Sequence, residues 1–151
     1  YRGKWLIFFF YPLDFTFVCP TEILALSDRL DEFADVDADI LGASTDSVHS
    51  HFAWLNTARE KNGIAGTAFP LVADYTKEVA RAYGVLDEQT GAAQRGLFII
   101  DPEGVLRYAV VTNDNVGRSV EETLRVLQAL QTGGLCPAEW TPGRELLKVG
   151  G

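Results

Sequence analysis

Apolar positions along the chain follow two different periods. Trp5 to Phe10 is an unbroken apolar run, and Asp39 to Ser44 reads as a second buried segment. Runs of this kind fit strands buried on both faces of a parallel sheet. Pro12 ends the first, because proline has no N–H for a strand ladder. From Thr21 to Phe33 the pattern changes: Ile23, Leu24, Leu26, Leu30 and Phe33 recur at helical spacing, with acids and Arg29 between them. Val48 to Glu60 predicts a second helix, stopped by Asn62-Gly63. A short strand over Phe69 to Val72 follows, then a helix over Lys77 to Tyr83 closed by Gly84. Gly96 to Ile100 and Val105 to Val111 flank Asp101-Pro102-Glu103-Gly104, which is a hairpin signal. Val120 to Leu130 predicts the last helix, with Val120, Leu124, Leu127 and Leu130 on one stripe. Strands alternating with helices and ending in a hairpin predict an α/β chain whose mixed central sheet is flanked by helices.

That order of elements matches the thioredoxin-like architecture. A length of 151 residues fits one domain. The pattern places that domain over residues 1–132, and leaves residues 133–151, after Gly133-Gly134, as an irregular C-terminal segment rich in Pro and Gly. Hydrophobic residues make up 47% and charged ones 23%, as in an ordinary folded protein. Lys and Arg number 13 against 21 Asp and Glu, a net charge of −8, which argues against nucleic acid or an anionic membrane as partner. The run from Trp5 to Tyr11 falls far short of the roughly 20 residues of a membrane span. No basic-plus-apolar leader is visible, which assigns the chain to the cytoplasm. The sequence opens at Tyr1 inside structured-looking sequence and contains no Met, so an N-terminal piece is expected to be missing.

Two cysteines, Cys19 and Cys136, are too few for a disulfide scaffold. The two histidines, His49 and His51, have no cysteine or paired carboxylate beside them in sequence, so neither a metal nor another cofactor is expected. Chemistry is left to the cysteines. Cys19 stands where a buried strand runs through a loop into a helix. Either Cys19 is the N-cap with Pro20 at the first helical position, or Thr16 caps and Cys19 lies in the first turn. Both readings put the sulfur at the positive end of a helix, on the sheet edge where open α/β folds gather their ligand sites. A free thiol has a pKa of about 8.5. A helix terminus contributes about 0.3–1 kcal/mol, up to ~2 when partly buried, which lowers such a value by little more than one unit. A cation in contact adds about one to three units. The site therefore calls for an arginine, and Arg95 and Arg118 both stand at element ends.

Pro12, Thr16, Cys19 and the distant Arg95 together resemble the peroxiredoxin signature: proline, three residues, threonine, two residues, cysteine, with a remote arginine. Asp14 to Glu22 is similar to the two-cysteine branch, which includes the peroxidase subunit of alkyl hydroperoxide reductase. Cys136-Pro137-Ala138-Glu139-Trp140-Thr141-Pro142-Gly143 is similar to that branch's resolving-cysteine segment, and Arg95 to Asp101 and Gly117 to Val120 match it as well. The resemblance implies a thioredoxin-like fold and a thiol-dependent peroxidase that reduces hydrogen peroxide and organic hydroperoxides without a bound cofactor. It implies Cys19 as nucleophile, Thr16, Pro12 and Arg95 around it, and Glu22 and Arg118 in support. It implies Cys136 as the resolving thiol of a partner subunit, with thioredoxin or a flavoprotein disulfide reductase as electron donor. It further implies a homodimer and, by analogy, allows a decameric ring. On residues alone, Cys136 reads equally as half of a structural disulfide with Cys19. A disulfide reductase is the rival enzyme, but it wants a second cysteine where Glu22 stands. A holdase chaperone or peroxide-sensing interaction protein on the same fold is the non-enzymatic rival. Asn62-Gly63-Ile64-Ala65-Gly66 matches only in part the Gly-Gly-Leu-Gly segment of peroxide-sensitive members, and glycines are expected to pack little there, which implies tolerance of high peroxide.

Overall fold

The computed structural model describes residues 1–149. Five strands, β1 (Trp5–Phe10), β2 (Ala38–Ser44), β3 (Leu71–Ala73), β4 (Arg95–Ile100) and β5 (Leu106–Thr112), form one sheet in the order β3-β2-β1-β4-β5. β1, β2 and β3 run parallel, and β4 and β5 are antiparallel additions, so the sheet is mixed. The apolar run of β1 takes the central place. Phe8 and Phe10 point into a cluster with Val85 and Phe98, against which Tyr83 packs. Phe9 and Tyr11 point to the opposite face, where their rings meet Phe69 at 5.7 Å and Trp54 at 5.8 Å. Burying aromatic side chains on both faces stabilises the centre by about 1.5–3 kcal/mol each. Gly42 of β2 pairs with Phe9, and a Cβ there would lie 2.7 Å from the Phe9 ring and 2.9 Å from Leu71, so any side chain would have to push the buried ring aside.

Helices α1 (Cys19–Asp28) and α2 (Leu30–Asp35) connect β1 to β2. The single helix expected over Thr21 to Phe33 is thus two, because Arg29 leaves helical geometry at φ −111° and ψ 15°. Helix α3 (Val48–Leu55) is shorter than expected, and Arg59–Lys61 forms a separate 3₁₀ turn. Helix α4 (Glu78–Ala82) follows β3, which starts two residues beyond the expected Phe69. Phe69 itself is buried as a core side chain. In the β4–β5 hairpin the Asp101 carboxylate accepts the N–H groups of Glu103 and Val105 and an Arg107 guanidinium hydrogen.

Compactness divides the chain into one unit over Tyr1–Arg118 and a second that begins at Ser119. Helix α5 (Val120–Gln131) therefore groups with the Cys136 segment, whereas the sequence pattern sets its boundary after residue 132. Within this second unit Arg125 donates to the Trp140 carbonyl at 2.8 Å, and the Trp140 indole donates to the Arg144 carbonyl at 3.0 Å. Among the described residues no helix is long and apolar enough to cross a membrane.

Candidate active site

The site begins where β1 leaves the sheet. Tyr11 still donates its N–H to Ala43 on β2, at 3.0 Å, and Pro12 follows with no N–H to donate. The chain turns through Phe15, which adopts a left-handed φ of 61°, and enters α1 at Cys19. Val18 occupies the N-cap position, with no side-chain cap bond, so neither sequence reading of the cap holds in detail. Thr16 makes no cap bond to the helix, and its hydroxyl donates to the Leu13 carbonyl at 3.0 Å. Cys19 is the first helical residue and Pro20 the second, where a missing N–H costs nothing. The expected consequence survives: the sulfur lies at the helix N-terminus, among first-turn N–H groups.

Antiparallel register brings the arginine to it. Leu97 of β4 pairs with Phe9 of β1, so Arg95, at the start of β4, lies level with the end of β1. Its Nη1 donates to Cys19 Sγ at 3.2 Å and to Glu22 Oε1 at 2.7 Å, and its Nε donates to the Asp114 carbonyl at 2.9 Å. Glu22, one turn along α1, also faces Arg118. Oε2 accepts the Arg118 backbone N–H at 2.7 Å and Nε at 2.6 Å, and Oε1 accepts Nη2 at 3.0 Å. Arg118 spends its remaining Nη1 on the Gly96 carbonyl and lies 5.3 Å from the centre of the Phe9 ring. Cys19 is fully buried, and the three charged side chains are only 3–7% exposed. Two guanidiniums against one carboxylate leave a single formal positive charge in this buried cluster, with the Cys19 sulfur beside it.

The structure thus gathers Cys19, Glu22, Arg95 and Arg118, with Thr16 on the loop before the helix and Pro12 half-buried at its start. The hydroxyl proton of Thr16 is committed to Leu13, so towards a substrate this oxygen serves as an acceptor. Cys136 belongs to the second unit, where its sulfur lies 3.5 Å from the Ala129 carbonyl and 3.5 Å from the Thr132 hydroxyl. Both cysteines are free thiols.

A family model described as the AhpC/TSA family matches residues 1–109. The chain belongs to that family. It is 62% identical over 146 residues to the Bacillus subtilis (strain 168) protein YkuU, covering 97% of this chain and 81% of that protein. It is 53% identical over 152 residues to Peroxiredoxin-1 of Gallus gallus, covering 98% and 76%. The reduced 2-Cys peroxiredoxin of Plasmodium vivax superposes with a TM-score of 0.92 at 40% identity, over 95% of this chain and 76% of that one. AhpC of Enterococcus faecalis superposes with a TM-score of 0.84 at 38% identity, over 90% and 83%. The chain is therefore a peroxiredoxin enzyme, with the peroxidase function and the thioredoxin-like fold of that group.

Two features of this peroxiredoxin escape the sequence reading. The segment Asn62 to Gly66 is expected to pack little; Gly63 and Ile64 are in fact closely packed, while Gly66 stands in open space. A Cβ on Gly63 would overlap the Thr57 carbonyl, and Ile64 is fully buried. The packing expected to be weak is therefore weak at Gly66 and not at Gly63. The second feature is a polar cluster under the loop. Tyr11 donates to Asp14 Oδ1 at 2.7 Å, His51 Nδ1 lies 2.7 Å from Asp14 Oδ2, and His51 Nε2 lies 2.9 Å from the Val72 carbonyl. Asp46 accepts the Asp14 N–H at 2.9 Å and the Ser44 hydroxyl at 2.6 Å. Burial opposes the charged form of His51, but the Asp14 hydrogen bond, the Val72 carbonyl and the charges of Asp14 and Asp46 outweigh it, raising its pKa above the ordinary value. Burial, with the Asp14 charge, pushes the Tyr11 phenol well above its ordinary value, so it stays a donor. Asp14, Asp46 and His51 each bring a ligand-type atom within 4.8 Å of the others, so the absence of a neighbouring carboxylate in sequence does not hold in space. Both ring nitrogens of His51 lie against oxygen atoms, Nδ1 against Asp14 Oδ2 and Nε2 against the Val72 carbonyl. The sequence signal here is the apolar run that ends at Tyr11, and it says nothing of His51, 40 positions on.

Proposed function

We propose that Cys19 is the nucleophile that attacks the peroxide, and that hydrogen peroxide and organic hydroperoxides are its substrates. The observation that carries this reading is the contact of Arg95 Nη1 with the buried Cys19 sulfur at 3.2 Å, held in place by Glu22. The thiolate sulfur attacks the nearer peroxide oxygen and the O–O bond breaks. Sulfur gains a hydroxyl as sulfenic acid, and the departing alkoxide or hydroxide takes up a proton to leave as alcohol or water. Arg95 stabilises the developing negative charge with donors that hold no removable proton at neutral pH. The Thr16 hydroxyl accepts the peroxide O–H and so orients in-line attack. Pro12 shapes the loop around the sulfur, and Glu22 and Arg118 fix the orientation of Arg95.

Cys136 of a partner subunit then attacks the sulfenic acid, forming a disulfide and releasing water. A dithiol donor, thioredoxin or a flavoprotein disulfide reductase, returns both cysteines to thiols. Full burial of Cys19 supports a local opening of the first turn of α1 before this step. The working unit on this reading is a homodimer. Donor-coupled peroxide consumption tests the first step: Cys19→Ser is expected to abolish it, and turnover at the wild-type rate in that variant sinks the assignment. A non-reducing gel after one equivalent of peroxide tests the second. A covalent dimer that disappears in Cys136→Ser is expected, and monomer bands alone with no free thiol left point to an intrachain bond instead.

A further inference from the structure

We infer that Asn62 is a positioning residue for the peroxide step, acting through Thr16; this rests on the peroxidase reading above. Asn62 reaches the catalytic loop from 46 positions away, its side-chain Nδ2 donating to the Thr16 backbone carbonyl at 2.9 Å. Three other contacts keep that amide where it is. Asn62 sits in the left-handed region at φ 64°, a conformation that asparagine tolerates and most side chains do not. Its own carbonyl accepts the Trp54 indole N–H at 2.9 Å, and Trp54 is fully buried. The following residue, Gly63, is pressed against Thr57, so the backbone cannot slide.

Asp14 ties the start of the loop to Asp46 and His51, two residues before Thr16. Phe15, beside Thr16, is itself left-handed and about half exposed, and its ring meets Trp54 at 5.9 Å. The Thr16 hydroxyl binds only three residues back, to Leu13 within the same loop, so that bond does not anchor the loop to the body of the fold. The Asn62 amide does. It connects the Thr16 backbone to the rigid Trp54–Asn62–Gly63 corner and thereby sets where the Thr16 oxygen stands relative to Cys19.

A double-mutant cycle separates this role from a merely structural one. Asn62→Gly removes the amide and keeps the left-handed backbone unstrained, and Asn62→Asp keeps the shape while replacing the donor by an acceptor that faces a carbonyl. The second-order rate of Cys19 oxidation by hydrogen peroxide, followed by stopped-flow tryptophan fluorescence, is expected to fall about 3- to 10-fold in Asn62→Gly, the worth of one neutral hydrogen bond. It is expected to fall at least as far in Asn62→Asp. In a Thr16→Val background, which is slow already, Asn62→Gly is expected to change nothing further. Reduction of the disulfide by the donor is expected to be unaltered. An Asn62→Gly rate equal to wild type, or an equal loss with and without the Thr16 hydroxyl, overturns the inference. If wild type and Cys19→Ser oxidise alike, the peroxidase reading fails first, and the two failures are distinct.

Discussion

Replacing Glu22 by glutamine keeps the side-chain volume and removes one charge from a deeply buried ionic cluster. In the wild type each carboxylate oxygen accepts two donors from Arg95 and Arg118. After Glu22→Gln the two guanidiniums, 4% and 7% exposed, lose the one carboxylate that lies between them. Removing one partner of a buried pair leaves an uncompensated charge at a cost of about 3–5 kcal/mol. A domain has only about 5–15 kcal/mol in total, so roughly a fifth of the stability at the least is expected to go. Urea unfolding of the reduced protein, at fixed protomer concentration and followed by tryptophan fluorescence, reads this as a fall in midpoint at unchanged slope. Glu88→Gln is the control: its pair with Arg81 is exposed on both sides, and no measurable loss is expected. If Glu22→Gln costs less than about 1 kcal/mol, the two arginines do not depend on this carboxylate and the charge argument for the site is wrong.

Arg95→Lys keeps the charge and loses the fork that spans Cys19, Glu22 and the Asp114 carbonyl. The peroxide kcat/KM is expected to fall about 100-fold in coupled assays, and a change of less than about 3-fold contradicts the role given to Arg95. Because the folded pKa of His51 is raised, its pair with Asp14 stabilises fully below the unfolded value of about 6.5, and that contribution fades as pH rises through the folded value. The urea midpoint of wild type minus that of His51→Asn is therefore expected to shrink as pH rises above about 6.5, and a gap that widens with pH refutes the assignment. Gly63→Ala forces a methyl into the Thr57 carbonyl and is expected to cost about 1–3 kcal/mol in the same unfolding assay; a neutral result shows that this corner yields.

Strand β1, the hairpin and the placement of Cys19 at a helix start are legible in sequence because each depends on a local property. An apolar run, a turn pair or a proline acts within a few residues, and hydrophobic periodicity reports it directly. The resemblance of Pro12, Thr16, Cys19 and Arg95 to a family signature extends that legibility to the chemistry. The boundaries that shift also have local causes that the pattern does not encode: Arg29 breaks the first helix by a change of ψ, while the apolar stripe continues across the break.

Partnership across the chain is another matter. That Glu22 meets Arg118, 96 positions on, and that Asn62 holds the Thr16 carbonyl follow from the order of elements in space. Placing β1 between β2 and β4, with β4 antiparallel, sets Arg95 beside the end of β1 and above the first turn of α1. The same packing seats His51 of α3 under the loop, where Asp14 and Asp46 wait with carboxylates that no sequence spacing reveals. A side chain's type and period state whether it is buried; which charge it meets there is decided only when strands from distant parts of the chain become neighbours, because buried charges must be paired wherever the backbone brings them.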